Sequence, residues 1–103
     1  MIARTWRGWT TQENADAYEH FLRESLVPQM RHLEGFRGVH VLRRDVADEV
    51  EFVTVSIFDS LDAVRAFAGA DYETPVIEPE AARLLARYER RAVHYVAVFE
   101  PGA

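Results

Sequence analysis

Few side chains in this sequence have the chemistry to do more than pack. His94 sits in the apolar run Val93-His94-Tyr95-Val96, and an imidazole titrating near neutrality is what a general base at physiological pH requires. A core histidine bonded to a backbone or hydroxyl partner fits the same pattern. His40, between Val39 and Val41, repeats it nearer a turn. Arg4 carries a permanent charge suited to a carboxylate or phenolate, or to an ion pair at a surface or interface. Trp6 and Trp9 have opposite parity, so one can line a cavity and stack on an aromatic ring while the other packs at an interface or rim. Tyr72 and Glu73 lie in the stretch ADYETPVIE, which reads as a loop able to cover a pocket, with Tyr72 as a hydrogen-bond donor or a packing anchor. His20 with Asp16 and Glu24 makes an i, i+4 ladder on an outward helical face, which reads as solvated charge pairing rather than a metal site. Arg83, Arg87, Arg90 and Arg91 are balanced by Glu80 and Glu89 and read as a solvated face.

Composition bounds what these groups can do. The chain has 103 residues, 49% of them hydrophobic, a net charge of −5 and no cysteine. That length suits a single domain, residues 1–103. Without cysteine there is no thiolate catalysis, disulfide or zinc–thiolate site. The two signs of charge are mixed without a basic block, which argues against nucleic-acid binding. The opening MIARTWRGW has no apolar core of a signal peptide, and no apolar run approaches the ~20 residues of a membrane span. A cytoplasmic protein that meets its ligand from water is the expectation.

The elements that must position these groups follow from periodicity. Residues 1–9 alternate as a strand. Thr10 and Glu13 have capping-box spacing, and a helix is expected from about Gln12 to His32. Its inner face carries Ala15, Tyr18, Leu22, Ser25, Leu26, Gln29 and Leu33, with a kink or early end at Pro28. Residues 36–45 and 50–58 read as two strands joined by a polar hairpin connection. Ser60 caps a helix over 61–68 that Gly69 ends. Pro79 opens a third helix running to about Arg87, and a last strand covers about 88–99, before Pro101 and Gly102.

Strand, helix, strand, strand, helix, helix, strand is the split βαβ order of a ferredoxin-like α+β sandwich, with a four-stranded antiparallel sheet and helices on one face. The uncovered face then carries either Val53, Val55 and Ile57 or the set of opposite parity. Both choices leave an apolar sheet surface of the kind that becomes an interface. A homodimer, sheet to sheet about a two-fold axis, is the expected assembly.

The chain resembles the antibiotic biosynthesis monooxygenase family of the dimeric α+β barrel superfamily. The resemblance rests on Met1–Thr10, the turn Glu34-Gly35-Phe36-Arg37-Gly38, the stretch Phe58–Gly69 and the closing Val93-His94-Tyr95. It implies functions that range from cofactor-free oxygenation of polyphenols to haem degradation. Two departures matter. Phe58 stands where many relatives have tryptophan. The asparagine on strand 1 and the histidine after helix 2 that mark haem-degrading members are both missing, since residues 1–9 hold no asparagine and 66–78 no histidine.

The resemblance also implies a pocket between sheet and helices with Phe58 directed into it. Strand alternation then puts Ser56, Thr54 and Phe52 on the same side. Taking Arg4 and Trp6 from strand 1, His40 and Leu42 from strand 2, and His94 and Val96 from the last strand gives an apolar cavity with a few polar groups. His94, with Tyr72, is the expected catalytic group. A base would deprotonate a phenol or enol of a small planar aromatic or polyketide-like substrate, whose carbanion-like form passes an electron to O2 with no cofactor required. The same pocket also suits a non-oxidative cyclase or isomerase, or a non-catalytic small-molecule-binding protein.

Overall fold

Alternation in the first strand sets the architecture. The computed structural model describes residues 1–99. In it β1 (Ile2–Thr11) pairs antiparallel with β3 (Glu49–Phe58) along its whole length, and β3 pairs with β2 (Phe36–Val46). The opposite edge of β1 is shared by β4 (Leu85–Tyr88) and β5 (Val93–Val96), both antiparallel. The result is a five-stranded antiparallel sheet with path β2-β3-β1-β4, and β5 also on β1. Helices pack on one of its faces, the ferredoxin-like α+β arrangement expected from the element order.

The fifth strand corrects the expectation of four. The third helix, α4 (Pro79–Leu84), stops short of Arg87, and the chain turns directly into β4. The strand expected over 88–99 is interrupted between Tyr88 and Val93. There the Glu89 N–H bonds the Arg7 carbonyl, its own carbonyl accepts from the Trp6 indole at 2.8 Å, and the Ala92 N–H is drawn to the Glu73 carbonyl at 2.7 Å. Those partners are remote in sequence, so local alternation does not reveal the break.

The first helix departs from a regular pattern in a way that matters for packing. It comprises α1 (Ala15–Phe21), a π-turn (Leu22–Leu26) and α2 (Val27–Met30). Proline has no N–H to give to the carbonyl four residues back. Just before Pro28, the Val27 N–H reaches the Leu22 carbonyl five residues back, the geometry of a π-bulge. The inward face therefore slips by one position: Met30 is buried where Gln29 was expected, and Gln29 is exposed. The capping box at Thr10 is also absent. Thr10 stays in β1, fully buried, and Asn14 occupies the cap position with no side-chain bond to the helix, its amide donating instead to the Leu84 carbonyl at 3.3 Å. The cap at Ser60 forms as expected, accepting from the Ala63 N–H, and α3 (Leu61–Ala68) ends at Gly69 with φ 91°.

Between sheet and helices lie two apolar clusters. One joins Tyr18, Phe21 and Leu22 to Val50 and Phe52; the other joins Met30 and Val64 to Phe58. Among the described residues no helix is long and apolar enough to cross a membrane.

Candidate active site

Strand register decides which side chains meet. Opposite residues on antiparallel strands share a face. Arg4 faces Ser56 across β1–β3 and His94 across β1–β5, and Trp6 faces Thr54. These residues occupy the helix side of the sheet. On β2 the partners of Ser56 and Thr54 are Val39 and Val41, whereas His40 lies opposite Val55 and Leu42 opposite Val53. His40 and Leu42 therefore belong to the uncovered face, a correction to their expected place in the pocket. The cause is the register shift between Phe36 and Gly38, where Gly38 adopts φ 149°. One extra residue in a strand turns every later side chain to the opposite face.

Arg4, Trp6, Thr54 and Ser56 line a cavity between sheet and helices, closed by Tyr18, Phe21, Leu22 and Met30 of the first helix, Phe67 of α3 and Pro75–Glu78 of the α3–α4 loop. Its free space is about 50 Å³, room for a water or two and well short of the several hundred Å³ of a pocket that holds an aromatic molecule. Phe58 does not reach it. It is fully buried between Phe36 (ring centroids 5.7 Å) and Phe67 (5.9 Å), which corrects its expected role as a pocket wall. Tyr18, Val39, Val41 and Phe67 belong to the lining and were absent from the expected set. For Tyr18 there was a signal: a phenol on the apolar face of an amphipathic helix. Burial pushes its phenol well above the ordinary range, so it stays protonated.

Arg4 is the centre of the site. Only 5% exposed, its guanidinium donates from Nη1 to the Tyr72 carbonyl and from Nη2 to the Thr74 carbonyl at 3.3 Å. Nη1 also lies 3.0 Å from His94 Nε2, and the Phe67 ring centroid lies 5.6 Å from Cζ. Arginine has only donors. His94 Nε2 must therefore accept, which places the imidazole proton on Nδ1 in a neutral ring. Burial first, then the Arg4 charge, lowers the His94 pKa, with Glu73 opposing. Burial also pulls the Arg4 pKa down, from a value so high that the group remains a cation. No carboxylate pairs with Arg4 among the described residues.

His94 itself opens on the other side of Arg4, into an outer cleft with Tyr72, Glu73, Arg91 and Tyr95. The Tyr72 ring meets the imidazole edge-on, with centroids 5.0 Å apart, and lies under Arg65 (5.3 Å). Glu73 is tied to Arg91 at 2.6 Å. Thus Arg4 stands between an apolar cavity and a neutral imidazole, and its hydrogen bonds hold the loop that roofs both. Such a group can bind or stabilise an oxyanion, and the imidazole can take a proton once its lone pair is released.

A family model for antibiotic biosynthesis monooxygenases matches residues 1–73. No curated protein matches the sequence. Among solved structures, a variant of SnoaB, a cofactor-independent oxygenase from Streptomyces nogalater, superposes with a TM-score of 0.68 at 16% identity, covering 99% of this chain and 97% of that one. The monooxygenase from the ActVA-Orf6 gene of Streptomyces coelicolor, solved with nanaomycin D, gives 0.60 at 15% identity over 98% and 92%. MhuD, a haem degrader from Mycobacterium tuberculosis solved with two haems in its active site, gives 0.62 at 17% identity over 99% and 100%.

Proposed function

Because the chain belongs to the antibiotic biosynthesis monooxygenase family, we propose that it is a cofactor-independent monooxygenase acting on a small planar aromatic or polyketide-like molecule held between sheet and helices. The observation that carries this reading is the Arg4–His94 contact beneath the α3–α4 loop, a neutral imidazole 3.0 Å from a fixed cation at the wall of an apolar cavity. A substrate hydroxyl that displaces Arg4 Nη1 from His94 Nε2 gives its proton to the freed nitrogen, and Arg4 stabilises the oxygen left behind. Trp6 and Phe67 offer ring faces to the substrate, Thr54 and Ser56 hydroxyls orient it, and Tyr72 supplies a phenol at the cleft. His40 is dropped from this set because it lies on the opposite face of the sheet.

For a ring methylene activated by a neighbouring phenol, the electrons and atoms balance. The deprotonated substrate passes one electron to O2. Radical and superoxide then combine in a C–O bond, and the peroxide loses water to leave a carbonyl. The methylene and O2 thus become a carbonyl and water. The cavity has to enlarge for this, and the loop over residues 69–78, which contributes its roof, is the segment to yield.

We also propose that the working unit is a homodimer joined through the uncovered face of the sheet. Val53, Val55 and Ile57 lie there beside Leu42, and Val93 and Tyr95 of β5 are open to solvent in the single chain.

Oxygen uptake with an anthrone-type tricyclic phenol tests the activity. Turnover by the native chain is expected, with a loss of about 10²–10⁴-fold in kcat for His94→Gln at unchanged thermal stability. Full turnover by a folded His94→Gln protein removes His94 from the mechanism. Conversion of the phenol without oxygen consumption assigns the pocket to cyclisation or isomerisation instead.

A further inference from the structure

Arg4 poses a problem that its neighbours do not solve. A buried cation is costly unless an opposite charge compensates it. Its partners are two backbone carbonyls and a neutral ring, and no carboxylate joins them among the described residues. Its three hydrogen bonds also leave part of the guanidinium's five N–H donors free for a further acceptor. Both carbonyls, of Tyr72 and Thr74, belong to the loop that roofs the cavity.

A second feature points the same way. On the far side of the cavity, between the first helix and the free edge of β2, lies a groove of about 350 Å³. Its floor, Leu22, Val27, Val39 and Val41, also lines the inner cavity, so the two spaces adjoin. Its rim carries Arg23, Arg31 and Arg43 against Glu19. Arg23 and Arg43 are held by Glu19 and Asp16, whereas Arg31 makes no ion pair among the described residues. In a chain of net charge −5, a cationic rim leading to a buried cation with no acid bonded to it sets a local field that attracts anions, opposed at the cavity wall by the Glu78 carboxylate.

We propose that the ligand of this cavity is an organic anion: a flat apolar body bearing a carboxylate-type oxyanion that pairs with Arg4 in place of the Tyr72 and Thr74 carbonyls and enters past the Arg23–Arg31–Arg43 rim. The proposal rests on the reading of the cavity as the ligand site and adds the charge class of the ligand. The apolar walls take the ring system, and the guanidinium takes two oxygens in its planar fork. Transferring Arg4 to the ligand also frees the roof loop and the His94 lone pair, so occupancy, opening and activation of the imidazole become one event.

Isothermal titration calorimetry on the full chain at neutral pH, with 2-naphthoate and its neutral isostere 2-naphthamide, tests this. Naphthoate is expected to bind at least about tenfold more tightly than naphthamide, the margin of a charge-assisted pair over a neutral one. In Arg4→Met the preference is expected to shrink to within about twofold while naphthamide still binds. Equal binding of the two probes by the native chain, or a preference that survives Arg4→Met, overturns the anionic ligand and leaves the cavity as a site for neutral molecules. Failure of both probes to bind overturns the cavity reading and the proposal with it. Should Arg4→Met not fold, Val41→Trp, which fills the cavity from β2, decides: naphthoate binding is expected to be lost, and its persistence places the anion elsewhere and overturns the proposal.

Discussion

Among the described residues each face of the sheet buries one charged side chain, and the two are treated differently. On the uncovered face Glu51, 6% exposed, lies between Arg44 at 2.9 Å and Arg7 at 4.0 Å. It forms part of a patch in which Arg87 binds Glu49 and stacks on Trp9, 4.0 Å from the ring centroid. On the helix side Arg4, equally buried, has no acid beside it among the described residues. Both acids of that patch are paired within the chain, which leaves the face to associate through its apolar end. The charge of the helix side is uncancelled and adjoins a cavity. The contrast separates a charge that serves the fold from one available to a ligand.

The largest expected effect concerns the uncovered face. Its apolar end, with Val53, Val55 and Ile57 on the central strand β3, is what a second copy would cover. Sedimentation of the native chain at micromolar concentration is expected to give twice the chain mass of 11.8 kDa. A carboxylate placed in that strip by Val55→Asp is expected to weaken association by about 3 kcal/mol or more, over a hundredfold, because it would be buried without a partner. A native chain that sediments as a monomer ends the proposed pairing. A Val55→Asp protein that still dimerises moves the interface to another surface.

Next in size is a direct comparison of the two charges. Replacing both Arg7 and Arg44 by leucine strands Glu51 as an uncompensated buried anion and is expected to cost about 3 kcal/mol of unfolding free energy in urea. Arg4→Met removes a cation that no acid compensates, and its former carbonyl partners lie on a loop with access to water. Its cost is expected to stay within about 1 kcal/mol. Equal losses in the two variants would mean that Arg4 is as structural as Glu51, and the contrast would dissolve.

How much of this was legible depended on whether a signal was local. Ser60 and Gly69 delimit α3 because capping and a positive φ are properties of a few consecutive residues. In β1 and β3 uninterrupted alternation correctly grouped Arg4 and Trp6 with Thr54 and Ser56 once one face was chosen. In β2 it failed, because the shift at Phe36/Gly38 inverts parity for all that follows, and His40 went to the wrong face with it. The π-turn ahead of Pro28 acts likewise on a helix, exchanging Gln29 for Met30. The proline was visible, but whether it would kink, end or bulge the helix depended on tertiary packing. The expected place of Phe58 came from the resemblance, and strand alternation could show its face of the sheet but not that Phe36 and Phe67 close over it there. The site had a similar limit. The sequence marks Arg4 as charged; only the fold shows that no acid reaches it among the described residues.

The smallest expected effect links the Arg4 charge to pH through His94. The His94 pKa is lowered in the folded chain by burial and by Arg4, while Glu73 partly offsets them. Below the ordinary histidine value of about 6.5, the unfolded chain takes up a proton that folded His94 does not. Stability therefore falls as pH drops from there toward the folded pKa and is fully present above that window. The imidazole is only partly buried, so the slope is shallow and is better read at the residue itself. In an NMR titration His94 is expected to protonate below the ordinary range, at higher pH in Arg4→Met, where the cation is gone, and at still lower pH than native in Glu73→Gln. Naphthoate on Arg4 should act in the direction of Arg4→Met, because an anion cancels the field that holds the ring neutral. A His94 titration unmoved by Arg4→Met would mean that burial alone sets its pKa, and that a ligand engaging Arg4 does not tune the imidazole through its charge.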